Sequence, residues 1–183
     1  MRSAARTVVN WLPLAFAALL AAGCASTAAS VRSATPASPP ADLGAYRGLT
    51  LDVTKAASVR VADGDLGRIL GRIVEAIRAK QADRFQEINA PPPADPAIPT
   101  VQVTVELTRY DKGSAFARAM LAGLGQIHID ARVTVRDPGT SASLGEYDVT
   151  KTFAWGGIYG ATTTIEDVEA GFAEAVATLI LGR

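Results

Sequence analysis

Three stretches of this chain alternate apolar and polar residues with a period of two, and that rhythm limits the folds open to it. Val101, Val103, Val105 and Leu107 alternate with Gln102, Thr104, Glu106 and Thr108. Ile127, Ile129, Ala131, Val133 and Val135 alternate with His128, Asp130, Arg132, Thr134 and Arg136. Tyr147, Val149, Phe153 and Trp155 alternate with Glu146, Asp148, Thr150 and Thr152. Successive side chains of a strand point to opposite faces, so each stretch predicts a strand with one dry and one wet side. This is the pattern of an antiparallel sheet covered on one face only. The last two strands flank Asp137-Pro138-Gly139 and Gly145, which predicts a hairpin with a long loop. Pairing the nearest polar residues places Arg136 opposite Glu146 and Lys151 near Ala131. Lys151 then falls on the dry side, where its methylene stem would have to slip past the small alanine.

A fourth strand is predicted between Leu49 and Val61, interrupted near Ala56-Ala57, where Leu49, Leu51 and Val53 alternate and Val59 and Val61 resume. Asp63 or Asp65 is placed to cap the helix that comes next. Leu66, Ile69, Leu70, Ile73, Val74 and Ile77 keep helical spacing, and Phe85 and Ile88 rejoin their stripe, giving a helix of about 24 residues with one buried face. A closing helix carries Ile165, Val168, Phe172, Val176, Leu179 and Ile180 on one stripe, with Thr163 and Glu166 spaced as a capping box. The expected fold is α+β: a two-layer sandwich of a mostly antiparallel four-stranded sheet, with two long helices on one face and a short apolar helix.

The first 23 residues do not belong to that body. Arg2 and Arg6 precede a mostly apolar run from Val8 to Ala22 that is broken by Asn10 and Pro13. The run is about 15 residues, and a helix crossing a bilayer needs roughly 20. This is the layout of a secretory signal peptide. Leu19-Leu20-Ala21-Ala22-Gly23-Cys24 resembles the lipobox of bacterial lipoproteins, in which the leader is cut before the cysteine and the sulfur is lipidated. That resemblance implies a palmitate-bearing membrane anchor at Cys24. Ala25, where an aspartate favours inner-membrane retention in enteric lipoproteins, implies the periplasmic side of the outer membrane rather than the inner. Apart from Val31 and the one charge, Arg32, residues 25–41 are Ala, Ser, Thr and Pro, so 24–41 is expected to be a lipidated cysteine and a disordered tether. Its coil would span on the order of 25 Å. Residues 42–183 then form one domain.

Without the leader, 16 basic residues face 18 acidic ones. That near balance gives no reason to expect nucleic acid as a partner. Cys24 is the only cysteine, which rules out an internal disulfide and, once acylated, leaves no thiol for metal or nucleophilic chemistry.

Between the strands ending at Thr108 and starting at Ile127, the segment 113–125 is apolar almost all round. Its only charge is Arg118, and small residues recur at Ala115, Ala119 and Gly123. Two arrangements stay open: a short helix packed on the sheet and ended by Gly125, or an exposed one that contacts a partner or membrane through Phe116, Arg118, Met120, Leu121 and Leu124. Thr108-Arg109-Tyr110, the Gly113–Met120 run, Leu124-Gly125-Gln126 and the turn Asp137-Pro138-Gly139-Thr140 together resemble the lipoproteins of domain-of-unknown-function family 4410. The resemblance spans residues 49–181 and implies an envelope lipoprotein without an assigned activity.

Nothing in the sequence assembles a catalytic set. His128 is the only histidine and shares its wet face with Asp130 and Arg132, side chains about 7 Å apart. A metal site needs three or four ligands, and no second His or free Cys exists to supply them. No Gly-x-Ser-x-Gly elbow is present, and Ser114, Ser141 and Ser143 sit outside such a context. Asp63/Asp65, Glu146/Asp148 and Glu166/Asp167 are placed for capping and surface pairing. The aromatic loop Trp155–Gly160 is expected to cover the open end of the core. The chain therefore reads as a non-enzymatic, lipid-anchored module with neither cofactor nor metal, binding an envelope partner or itself. Alternatives are a carrier holding an apolar ligand between 113–125 and the aromatic loop, and more remotely an envelope hydrolase.

Overall fold

The computed structural model describes residues 29–34, 42–93, 95, 97–121, 124–154 and 161–182. In chain order its elements are β1 (Ser30–Ser33), β2 (Gly48–Lys55), α1 (Asp63–Lys80), β3 (Glu87–Asn89), β4 (Thr100–Asp111), α2 (Ala115–Met120), β5 (Ile127–Arg136), β6 (Ser143–Phe153) and α3 (Ile165–Ile180). The leader, Cys24 and the aromatic loop Trp155–Gly160 lie outside the described residues.

The sheet corrects the four-stranded, mostly antiparallel expectation. It has six strands in the order β1-β6-β5-β4-β2-β3 and is mixed, because β2 runs parallel to both β4 and β3. The physical reason is α1. A helix between two neighbouring strands returns the chain to the end where it started, so β2 and β4 must run the same way. Three helices accompany it among the described residues: the long α1 and α3 cover one face, and the short α2 stands at one end. Leu49, Leu51, Val101, Val103, Val105, Ile127, Ile129, Val133 and Val149 meet Ile69, Ile73, Ile77, Phe172, Val176 and Ile180 in a single buried core.

Both added strands come from stretches expected to do something else. Ser30–Ser33 lies in the Ala/Ser/Pro segment expected to be disordered, yet it pairs antiparallel with β6 from Ser30 opposite Thr150 to Ser33 opposite Tyr147. Ile88, expected on the stripe of a longer helix, instead sits in β3 opposite Leu49. The helix stops at Lys80. Beyond it Arg84 folds back and donates to the carbonyls of Tyr46 (2.8 Å) and Leu43. Its guanidinium also lies 4.6 Å over the ring of Phe85, which is buried in the core from this loop. Pulling residues 81–86 onto the 43–47 turn cannot coexist with a helical path.

Other local expectations shift by a residue or two. The strand after Gly48 ends at Lys55, with Val59 and Val61 in the loop beyond it. Ala62 holds the N-cap position of α1 without a side-chain cap, although Asp63 and Asp65 lie in the first turn. The capping box of α3 joins Thr164 to Asp167, the Thr164 N–H donating at 2.9 Å, one residue later than expected. The β5–β6 register places Glu146 opposite Thr134 and Lys151 opposite Ile129, a two-residue slide from the expected pairing. A slide of two leaves every side chain on its own face, so patterning cannot decide it. The turn does: Asp137 N–H donates to the Ala142 carbonyl at 3.0 Å, and its carboxylate accepts from Gly139 N–H at 2.9 Å. Lys151 does lie buried on the dry face. Gly171 of α3 makes the room, since a Cβ there would come within 2.8 Å of the Lys151 Cε.

Four strand termini gather at one end of the sheet. Ser30, Thr150, Asp130 and Arg109 share a row across β1, β6, β5 and β4. Toward that end β1 begins, β4 finishes, β5 begins and β6 finishes.

Candidate functional site

The residues joining β4 to β5 at this end form a platform. Gly113 turns the chain at φ +62°, and a Cβ there would lie 2.4 Å from the carbonyl oxygens of Gly125 and Gln126. Gly125 closes the segment at φ +73°, with a Cβ position 2.4 Å from the Ser114 carbonyl. Both conformations suit glycine, and the contacts leave no space for anything larger. Ser114 caps α2, its Oγ accepting from the Ala117 N–H at 3.2 Å, and its backbone N–H donates to the Gly125 carbonyl at 3.2 Å.

Arg118 pins this loop from inside. It is only 3 % exposed, and its guanidinium donates to the carbonyls of Gly125 at 2.7 Å and Thr163 at 2.9 Å. Thr163 immediately precedes the cap of α3, so the arginine ties α2 to the end of the main helix. The apolar residues turn the other way: Phe116 is 73 % exposed, Met120 67 %, Leu124 58 % and Leu121 51 %. The usual arrangement of a surface helix, apolar side in and charge out, is reversed here. Of the two arrangements the sequence left open, the exposed one is present for Phe116, Met120, Leu121 and Leu124. Arg118 does not join them and acts as their mount. Gly123 lies outside the described residues.

Beside the platform is a shallow, open depression lined by Arg109, Asp111, Ser114, Gln126 and His128, with Leu124 as its apolar wall. The His128 Nδ1 stands 3.1 Å from the Thr152 Oγ1. Burial, helped by the nearby Arg109 charge, holds the imidazole below its ordinary pKa of 6.5. Ser114 is occupied as a helix cap, and Ser143 starts β6 at the opposite end of the sheet. The geometry thus gives His128 a threonine hydroxyl as its neighbour. Arg132, two positions along the face, pairs with Glu146 at 3.0 Å and Asp148 at 3.3 Å. Among the described residues no three His, Cys, Asp or Glu side chains gather as a metal site.

The sequence reading missed a charged cluster nearby. Glu169 of α3 is fully buried and receives both prongs of Arg68 from α1, Nε to Oε2 and Nη2 to Oε1, each at 2.8 Å. Tyr110 of β4 donates to the same Oε1 at 2.8 Å, and Arg72 lies 3.5 Å from Oε2. Asp65 accepts from Arg68 at 2.8 Å and pairs with Lys112 at 3.2 Å. Glu169 raises the guanidinium pKa of Arg68, and burial, reinforced by Glu169, raises that of the Tyr110 phenol. For Asp65 burial alone would raise the pKa, but hydrogen bonds from Arg68 and Lys112 outweigh it and hold the carboxyl below the usual range. The sequence did carry a signal. Glu169 lies four residues after Ile165 and four before Ala173, in the middle of the apolar stripe, where a carboxylate needs a buried partner.

Set beside known proteins, the chain matches a family model described as a domain of unknown function, DUF4410, over residues 27–157. No curated protein matches it in sequence. The solved PelC dodecamer from Paraburkholderia phytofirmans superposes with a TM-score of 0.54 at 15 % identity, covering 85 % of this chain and 99 % of that one. A single-residue variant of that PelC gives 0.55 at 12 % identity, covering 83 % and 96 %. Protein XCC0632 from Xanthomonas campestris gives 0.49 at 11 % identity, covering 82 % and 91 %. At these identities the likeness to PelC shows a shared fold and nothing further.

Proposed function

The chain belongs to the DUF4410 family, and on that premise we propose that it is a lipid-anchored module of the bacterial envelope that acts by contact rather than by catalysis. It hangs from the periplasmic side of the outer membrane through Cys24. Its working surface is the platform between β4 and β5.

The observation that carries this reading is the reversed helix α2. Four large apolar side chains face solvent while the one charge of the helix is drawn inside to hold them in place. Leaving such groups exposed has a cost in solubility, and a rigid mount beneath them marks a contact surface rather than a frayed loop. The signal-like leader and lipobox-like Cys24 supply the address. PelC, which shares this fold, is a dodecamer, and that supports self-association as one form the contact takes.

The test uses the full chain made with its own leader. Labelled palmitate should enter the wild type and not a Cys24→Ala variant, and the wild type should fractionate with outer membranes. Leu121→Lys should leave the melting temperature nearly unchanged, within about 0.5 kcal/mol of stability, because the residue is half exposed. The same change should abolish the photo-cross-links, to lipid or to protein, that a label placed on the platform makes in intact membranes. Equal palmitate in both proteins would overturn the anchor, and identical cross-links in wild type and Leu121→Lys would overturn the surface.

A further inference from the structure

We propose that the platform's occupant is the lipid surface itself: α2, with Leu121 and Leu124 beyond it, lies in the membrane interface beside the Cys24 anchor, as a second, non-covalent foot. This rests on the lipid-anchored reading and deepens it by naming what covers Phe116, Met120, Leu121 and Leu124.

The argument begins with β1. Ser30 pairs with Thr150, so β1 begins toward the end of the sheet where β4 finishes and β5 starts. Only residues 25–29 separate Cys24 from this strand. Even fully extended, that stretch holds the cysteine within about 20 Å of Ser30. The platform is built on the connection from β4 to β5, and β5 is two strand spacings from β1, about 10 Å across the sheet. A bilayer that receives an acyl chain from Cys24 therefore meets this end of the molecule. Had residues 25–41 all been free tether, the domain could have hung in any orientation. Pairing of β1 shortens the leash and selects one.

The chemistry of the patch fits hydrocarbon better than protein. Residues 115–121 include no carboxylate, and their single charge, Arg118, is turned inward onto carbonyl oxygens. Contacts between proteins usually recruit arginine at their centre, and here it is withdrawn. The exposed groups are flexible aliphatic chains and one phenyl ring. Arg109 and Asp111, in the depression beside Leu124, sit at the end of β4 on the rim, where headgroups and water can solvate them. A patch of four side chains binds a membrane weakly alone, but the anchor raises its local concentration enough to keep it engaged.

The experiment uses the natively lipidated full chain in vesicles of phosphatidylethanolamine and phosphatidylglycerol. With the Cys24 sulfur blocked by its lipid, a single thiol introduced as Met120→Cys or Ala142→Cys takes an environment-sensitive fluorophore. Position 142 is an exposed site in the β5–β6 loop, at the opposite end of the sheet. Acyl-chain spin labels should quench the probe at 120 at least about threefold more than the probe at 142. Adding Leu121→Lys and Leu124→Lys should bring position 120 down to the level of 142 without releasing the protein from vesicles. Equal quenching at 120 and 142 on anchored protein would overturn the inference. So would energy transfer between probes at 120 that survives dilution into excess lipid, since the patch would then be covered by another copy. Failure of the wild type to float with vesicles is a different result and refutes the anchored reading beneath it.

Discussion

Two arginines are drawn into this protein by opposite kinds of partner. Arg68 reaches across the seam between α1, β4 and α3 to a buried carboxylate, Glu169, and shares Asp65 with Lys112. Arg118 reaches from α2 to the neutral carbonyls of Gly125 and Thr163. At the seam, charge answers charge and the apolar residues around it are buried, the arrangement of a structural joint. At the platform, a charge is buried so that apolar residues can be held outside. The first arrangement fixes how the two long helices sit on the sheet, and the second fixes where an exposed surface is presented. Predicted effects on stability should divide along that line.

The largest effect is expected at the seam. Glu169→Ala removes the acceptor of Arg68 and Tyr110 and leaves Arg68 half-buried without its main counter-charge. Breaking a buried pair from one side costs about 3–5 kcal/mol, which for a domain of this size lowers Tm by on the order of 10 °C. Glu169→Gln keeps the shape and an acceptor, and should lose distinctly less. A calorimetric scan showing Glu169→Ala melting with the wild type would erase the distinction between joint and platform.

Arg118→Ala should act locally. Two part-buried carbonyls lose a donor, a cost of about 1–3 kcal/mol, but the affected segment can open without unmaking the sheet. Amide exchange should accelerate across residues 113–125 while β4, β5 and α3 keep their protection. Membrane contact should weaken even though every apolar residue of the patch is still present. If exchange instead rises uniformly through the domain, Arg118 belongs to the joint and the two regions are one.

The same contrast explains what could be read from the sequence. The buried faces of β4, β5 and β6 were legible, because alternation states directly which side chains are buried, although β4 runs on past the expected Thr108 to Asp111. Ser30–Ser33 and Glu87–Asn89 were not, since four- and three-residue strands at the sheet edges are too short to show a period and take their pairing from neighbours. The parallel pairing of β2 with β4 was legible in principle from the helix between them. At the platform, composition marked 113–125 as unusual but could not say which way it faced. That depends on carbonyls 7 and 45 residues away from Arg118, a tertiary fact that no local pattern holds. Glu169 escaped notice because the apolar members of its stripe hide the one carboxylate among them.

The smallest predicted effect belongs to His128, which lies against the platform yet is unattached to the seam. Burial and Arg109 keep its folded pKa below the ordinary 6.5. Between that lowered value and 6.5 the folded state binds fewer protons than the unfolded chain, so stability is full above about pH 6.5 and falls as pH drops through this window. Asp65, also depressed, contributes stability that is present above its ordinary 3.8 and lost only as pH falls below it toward its folded value. The Asp65 window opens only below 3.8, whereas that of His128 opens at 6.5. His128→Gln should therefore flatten the decline of Tm just below pH 6.5 and leave the steep acid loss below pH 4 intact, whereas Asp65→Asn should do the reverse. A decline near pH 6 that survives in His128→Gln would mean that the mildly acidic sensitivity of the fold arises away from the platform's edge, and the histidine would then be no more than a neighbour of Thr152.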